Sequence, residues 1–317
     1  MPNNKLLSSV KRLIIPSLQV NPDDIIVEKF LGGFTGTSKF IATTKYKEGT
    51  KKYFLKVVDP LASPADAALL AVEAGMYRIL KNAGLAGIIF PTFEKYIHAG
   101  IVKILILEYL NNVRWGYPLN TQTIEYLEQS LNKLHSTNLS ELERKKIMNL
   151  SDVVRKNLSK RTNQIDENTL FINTWSNSYK SFIFEQKLNG INCSQLAQAI
   201  IKSSRQFNPY MLKNLTLQDL NYTNIGFSIN QAYFIDPVYA TLGDPRLDKT
   251  IAGINILQQL GKEHNPQLKK LVLHKFITNR AVLASLIKSY VINLSTRILT
   301  RTSKAGKSIT KNVFQFP

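Results

Sequence analysis

Residues 215–248 constrain this chain more than any other stretch. An apolar strand there ends on an aspartate, just after a polar turn bearing an aspartate and an asparagine. Asp219 lies in the turn and Asn224 follows five residues later. A polar hairpin, Ser228 to Gln231, leads into the apolar run Ala232 to Ile235, which stops at Asp236. An aspartate at the end of a buried strand, beside a loop carrying Asp and Asn, makes a hard-oxygen site. Mg2+ takes ligands of this kind, with phosphate oxygens and waters completing the octahedron. In phosphoryl transfer one aspartate orients the attacking hydroxyl, while an asparagine and a second aspartate hold the metal. The same residue types also populate ordinary turns, so the upstream sequence decides between the two.

Upstream, residues 24–58 read as three strands: Ile25 to Leu31, Ser38 to Lys45 and Tyr53 to Val58. The turn Gly32-Gly33-Phe34-Thr35-Gly36-Thr37 joins the first two, and Lys47 to Lys51 form a polar hairpin turn. Glycine reaches φ > 0 and carries no side chain, so backbone N–H groups in such a turn can approach a phosphate. Lys56 sits among Phe54, Leu55, Val57 and Val58. An ammonium there is costly to desolvate without a partner, and a partner follows. Ser63 as N-cap, Pro64 and Asp66 open a helix that runs to about Lys81 and stops near Asn82 and Gly84. Glu73 falls in its middle, either pairing with Lys56 or facing solvent beside Arg78.

Two further strands follow, Ile88 to Ile97, broken at Pro91, and Ile101 to Tyr109. The second runs into a polar loop, Asn111 to Asn120, where a hinge between two lobes would lie. Beyond residue 120 the periodicity is helical. The spacing predicts helices over Thr121–Thr137, about 150–160, 168–188 and 193–205, then Asp248–Leu260 and Gln267–Leu294. His135 reads as a structural residue at a helix end. Trp175, Tyr179 and Phe182 fall at core spacing.

In order along the chain stand a glycine-rich turn, a strand lysine, a helix glutamate, a hinge strand, a helical lobe, Asp-x4-Asn and a strand-end Asp. This order resembles the protein-kinase-like fold, and within it the aminoglycoside phosphotransferase/choline kinase group. The catalytic loop of that group typically reads His-Gly-Asp-Leu-His-Pro-Gly-Asn. This chain has Leu217-Gln218-Asp219-Leu220-Asn221-Tyr222-Thr223-Asn224. The Asp, the Leu and the final Asn match; the two His, both Gly and the Pro do not. Ile235-Asp236-Pro237-Val238, Gly243-Asp244-Pro245-Arg246-Leu247-Asp248 and the helix end Leu131 to Ser136 match later and earlier segments of the group. The resemblance covers about residues 24–260.

The resemblance implies an α+β, two-lobed chain with a small antiparallel N-terminal lobe and a larger, mainly helical C-terminal lobe. The expected boundaries are a basic helix at 1–23, a nucleotide-binding lobe at 24–110, a catalytic and substrate lobe at 111–296 and a basic tail at 297–317. It implies ATP and Mg2+ as cofactors. Gly32, Gly33, Thr35, Gly36 and Thr37 would cover the phosphates. Lys56, held by Glu73, would bind them, and backbone groups of Glu108 and Leu110 would meet the adenine edge. Asp219 would orient the acceptor hydroxyl, and Asn224 and Asp236 would hold the metal. Asp244 and Asp248 are assigned to structure, bonding the catalytic loop or capping the helix expected to start at Asp248.

Charge bears on the acceptor. Forty-one Lys and Arg stand against 22 Asp and Glu, a net charge of +19. Residues 249–317 hold twelve of the basic residues and one acidic residue, Glu263. A polycationic acceptor needs carboxylates or an aromatic cage, so the charge favours a sugar, an amino alcohol or an anionic or lipid-linked hydroxyl compound. Chains this basic also meet nucleic acid or anionic membranes. Two further readings therefore remain: a nucleotide-binding pseudokinase that serves as an interaction module, and a basic nucleic-acid or membrane-surface binder on the same scaffold. The single cysteine, Cys193, excludes an internal disulfide and fits a reducing compartment. Scattered His98, His135, His264 and His274 argue against zinc. No run is long enough to span a bilayer, and the N-terminus lacks a signal-peptide pattern, so the expected location is cytoplasmic, with peripheral membrane contact left open. Leu6, Leu7, Val10, Leu13, Ile14 and Leu18 mark an N-terminal amphipathic helix, expected to pack on the body.

Overall fold

The computed structural model describes residues 3–30, 37–59, 61, 63–100, 102–115, 120–159, 193–207, 214–260 and 265–288. The N-terminal half is built on a five-stranded antiparallel sheet in the order β1-β2-β3-β5-β4. Its strands are β1 (Ile25–Lys29), β2 (Ser38–Tyr46), β3 (Gly49–Val58), β4 (Phe93–Ala99) and β5 (Val102–Glu108). Alternation along β3 sorts its side chains between two faces. Tyr53, Leu55 and Val57 join Ile104 and Ile106 of β5 on one face, against Val10 and Ile14 of α1 (Asn3–Leu18). The apolar stripe of the N-terminal helix is thus spent on the sheet. Val58, Leu105 and Leu107 face the other way, against Leu70, Tyr77 and Leu80 of α2 (Pro64–Asn82).

The C-terminal half is mainly helical: α3 (Thr121–His135), α4 (Glu141–Ser159), α5 (Cys193–Ser204), α6 (Pro245–Leu260) and α7 (Pro266–Phe276). Helix α3 starts at a reciprocal cap, in which Asn120 Oδ1 accepts from the Thr123 N–H at 2.9 Å and Thr123 Oγ1 accepts from the Asn120 N–H at 3.0 Å. Two small sheets lie beside these helices. One pairs β7 (Asn214–Thr216) with β10 (Thr241–Gly243); the other orders β6 (Arg114–Trp115), β8 (Ile225–Phe227) and β9 (Ala232–Phe234). A continuous core runs from α2 through Phe90 and Phe234 to Leu127 and Leu131 of α3 and on to Ile256 and Phe276. Burying one leucine such as Leu131 contributes about 2 kcal/mol. The architecture is the expected α+β arrangement.

Several boundaries differ from the sequence reading. The β2–β3 turn is tighter than Lys47 to Lys51: β3 begins at Gly49, whose φ of 130° lets it pair with Tyr46. Residues 88–92 are not strand; β4 starts only after Pro91, which supplies no ladder donor. Helix α3 ends at His135, and α4 begins nine residues before the expected start at 150, at Glu141. Helix α6 starts at Pro245, not Asp248, because Pro suits the first helical position. The long helix expected over Gln267–Leu294 breaks after Phe276 and resumes as a helical run at residues 280–288, with Asn279 Oδ1 accepting from the Val282 N–H at 3.1 Å. Ser63 does not cap α2 through its side chain; its hydroxyl donates to Asp66 instead. The expected helix over 168–188, with Trp175, Tyr179 and Phe182, and the basic tail lie outside the described residues.

Candidate active site

The site forms where the α2 side of the large sheet meets the β7–β9 segment. Lys56 points to that side from β3, and Glu73 points back from the middle of α2. Lys56 Nζ lies 2.7 Å from Glu73 Oε1, with side chains only 7% and 4% exposed. Burying either charge alone would cost several kcal/mol, so the pair is mutually required. Lys56 Nζ also contacts Asp236 Oδ1, which is 29% exposed. Glu73 therefore faces Lys56, not solvent.

Asp236 owes its aim to the backbone. It adopts φ 57°, ψ 54°, a left-handed conformation, between the end of β9 and a 3-10 turn at Pro237–Tyr239. An L-residue pays about 1–2 kcal/mol for this geometry, and such strain concentrates at functional sites. Gln218 is likewise left-handed, at φ 61°. It stands where the resembled loop carries glycine.

Asp219 follows Gln218, and two amides hold its carboxylate. Asn221 Nδ2 donates to Oδ1 at 2.7 Å and Asn224 Nδ2 to Oδ2 at 3.1 Å. Burial pushes the Asp219 carboxyl above the usual carboxylate range, and the Asn221 and Asn224 hydrogen bonds oppose that rise. With its Nδ2 tied to Asp219, Asn224 turns its Oδ1 toward the Thr223 hydroxyl, which donates to it at 3.5 Å. The Ile235 N–H donates to the Asn224 carbonyl at 3.0 Å, which couples the loop to the residue before Asp236. Gly226 permits a close approach on β8: a Cβ there would stand 2.3 Å from Val113 Cγ1.

Asp248 anchors the loop from behind. The N–H of Leu217 donates to its Oδ2 at 2.8 Å and that of Gln218 to its Oδ1 at 2.9 Å. The role expected of Asp248 as a loop partner is the one it takes, while Asp244 occupies the helix start and accepts from the Arg246 N–H at 2.8 Å. His135 is the buried helix-end residue expected, 3.0 Å from Asp248.

The donor set suits Mg2+. Asp236 already faces a cation, the Lys56 ammonium, and Asn224 adds an amide oxygen. Among the described residues no group of three or more His, Cys, Asp and Glu could hold a metal. Mg2+ sites commonly use one or two carboxylates and take the remaining ligands from phosphate and water.

Of the other expected residues, Gly32, Gly33, Thr35 and Gly36 lie outside the described residues, and Thr37 sits just before β2. Glu108 ends β5, with Leu110 two residues on. The Glu108 N–H donates to the Thr92 carbonyl at 2.9 Å, so only its carbonyl remains for a base. Its carboxylate accepts from Thr92 Oγ1 at 2.7 Å.

Three residues were missed by the sequence reading. Asn221 departs from the resembled loop, yet it holds Asp219. Phe54 shares the Lys56 face and meets Phe30 edge-on, with ring centroids 5.5 Å apart. Lys39 stands directly across from Lys56. Period-two alternation would have found Phe54, and counting back from the hairpin turn would have found Lys39.

The solved structures most like this chain include small-molecule kinases. Spectinomycin phosphotransferase, solved with ADP and spectinomycin, superposes with a TM-score of 0.59 at 15% identity, over 96% of this chain and 90% of that one. The choline kinase of Streptococcus pneumoniae gives 0.52 at 15% identity, over 96% and 94%. An aminoglycoside phosphotransferase of Streptomyces rimosus, solved with ADP and streptomycin, gives 0.51 at 12% identity, over 90% and 98%. The chain has the aminoglycoside phosphotransferase and choline kinase fold. No protein-family model and no curated protein matches the sequence. At these identities the likeness of the kinase fold extends to backbone architecture, and the chemistry rests on the side chains described above. Among the described residues of this kinase-like fold, no helix is long and apolar enough to cross a membrane.

Proposed function

We propose that this protein is an ATP- and Mg2+-dependent phosphotransferase that phosphorylates a hydroxyl of a small molecule. The observation that carries the reading is the double contact of the Lys56 ammonium, to Glu73 from α2 and to Asp236 from the far side of the cleft. Glu73 holds Lys56 where it binds the phosphates. Phe54 offers an apolar wall to the base, and the carbonyl of Glu108 and the backbone of Leu110 meet its edge. Asn224 and Asp236 would hold Mg2+, which would supply neutralisation of the phosphate charge. Asp219 accepts a hydrogen bond from the acceptor hydroxyl. As that oxygen bonds to the γ-phosphorus, the bond to the β-phosphate oxygen breaks, ADP leaves, and the hydroxyl proton passes to Asp219. Positioning and charge neutralisation supply most of the acceleration. The net charge of +19 favours a neutral or anionic acceptor, such as a sugar or a lipid-linked hydroxyl, over a polycation.

The test is an ATP-consumption screen against sugars, amino alcohols, nucleosides and lipids, run beside Asp219→Ala. Acceptor-dependent turnover that Asp219→Ala abolishes while retaining ATP binding supports the proposal. ATP binding without turnover on any acceptor favours the pseudokinase reading. Salt-sensitive binding to nucleic acid or anionic vesicles that persists in Asp219→Ala favours the scaffold reading.

A further inference from the structure

Lys39 is a cation beside the nucleotide site to which the proposed reaction assigns no role. It is the direct cross-strand partner of Lys56 in the β2–β3 ladder. Directly opposed residues of an antiparallel pair project from the same face, with Cβ atoms about 5 Å apart, and like charges in that position repel. Lys39 therefore shares the face from which Lys56 reaches Glu73. Glu73, whose charge reaches Lys39, is engaged by Lys56, as is Asp236. Among the described residues, the Lys39 side chain makes no hydrogen bond or ion pair.

The other lysines of this hairpin, Lys45, Lys47, Lys51 and Lys52, are exposed, whereas Lys39 is half-buried. Burial pushes the Lys39 ammonium below its usual pKa, repulsion from Lys56 adds to this, and Glu73 opposes it. A half-buried cation facing a second cation is stabilised by a ligand that brings several negative charges at once.

We infer that Lys39 is a second polyphosphate-binding residue, its ammonium and that of Lys56 straddling the phosphate chain of a nucleoside di- or triphosphate. The inference rests on the nucleotide reading of the site. An ammonium suits the task, being a compact charge with three rotatable donors. With Lys56 shared among Glu73, Asp236 and phosphate, Lys39 supplies a cation that, among the described residues, no carboxylate pairs with.

Calorimetric titration of ADP, ATP and adenosine into the full chain tests this, with Lys39→Met and the surface control Lys45→Met. Lys39→Met is expected to weaken ADP and ATP about tenfold, the effect of one charge-assisted contact, and to leave adenosine unchanged. Its melting temperature without nucleotide is expected to stay level or rise, because a like-charge contact is removed. The stabilisation conferred by ATP is expected to shrink. ADP affinity in Lys39→Met equal to that of the unsubstituted chain overturns the inference and leaves the nucleotide reading intact. A lower melting temperature together with parallel loss of ADP and adenosine overturns it in favour of a structural role. If the unsubstituted chain binds none of the three ligands, the nucleotide reading fails, and this inference with it.

Discussion

His135 Nε2 lies 3.0 Å from Asp248 Oδ2, and both side chains are buried. A carboxylate can only accept, so the imidazole donates from Nε2. The same carboxylate takes the N–H groups of Leu217 and Gln218. The end of α3 and the first turns of α6 thereby clamp the backbone that carries Asp219. Asp248→Ala leaves two backbone donors and an imidazole without their acceptor, each unsatisfied group costing about 1–3 kcal/mol. We expect a loss of about 3 kcal/mol or more in urea denaturation, with kcat falling more than ATP affinity. A loss under about 1 kcal/mol would show that the clamp does not hold the loop.

Lys56 and Glu73 separate stability from activity. Replacing a buried ion pair by well-packed apolar residues is often neutral or stabilising by about 1–4 kcal/mol, whereas removing one partner costs about 3–5 kcal/mol. Glu73→Ala is expected to destabilise strongly. The double variant Lys56→Met/Glu73→Leu is expected to melt at or above the original temperature and to have no phosphotransfer activity. Asp236, partly exposed, remains solvated in that variant. Thermal melts and an ATP-consumption assay on the same preparations decide the matter.

The raised pKa of Asp219 has a kinetic consequence. In the proposed reaction the base must be ionised, so activity is expected to fall as pH drops through a value above the ordinary aspartate value of about 3.9. Removing the amide donor in Asn221→Ala raises that value further, because the hydrogen bond favours the charged form. The acid limb of the kcat/KM profile should therefore move to higher pH. For stability the direction is reversed. The folded state binds the proton more tightly than the unfolded state, so Asp219 costs stability above its folded pKa, and the cost vanishes below the unfolded value. An acid limb that stays in place in Asn221→Ala would remove Asn221 from the site.

Gln218 is exposed and left-handed, so its side chain loses little packing on removal. Glycine relieves about 1–2 kcal/mol of backbone strain and returns about 0.5–1 kcal/mol through unfolded-state entropy. Gln218→Gly is expected to stabilise by about 0.5 kcal/mol, while a β-branched Gln218→Val destabilises. Denaturant midpoints of the two variants should move in opposite directions.

Much of the site was legible in the sequence because its charged residues sit where local rules forbid idle charge. Lys56 interrupts an apolar strand, Glu73 interrupts an apolar helix, and Asp236 ends a strand. The hairpin register was also within reach, since period two carries Lys56 across to Lys39 once the turn is known. The turn itself was misplaced, because Lys51 and Lys52 look like loop residues. They are exposed strand residues close to the turn of the hairpin. The extent of α6 was misread for a related reason. Asp248 resembles a helix start, but it lies inside the helix, and its carboxylate is used by residues some 30 positions earlier.

By itself, the sequence determined the α+β order of elements, the two faces of the sheet and the identity of the charged groups. These follow from side-chain period, desolvation cost and turn chemistry, all of which act over a few residues. Only the tertiary structure decided that α1 spends its apolar face on the sheet, that Lys56 bridges Glu73 and Asp236, and that Asn221 and Asp248 hold the loop of Asp219. Those contacts join residues far apart in the chain. Their geometry depends on how separately formed elements pack, and on left-handed backbone at Gln218 and Asp236 that local preference alone would not select.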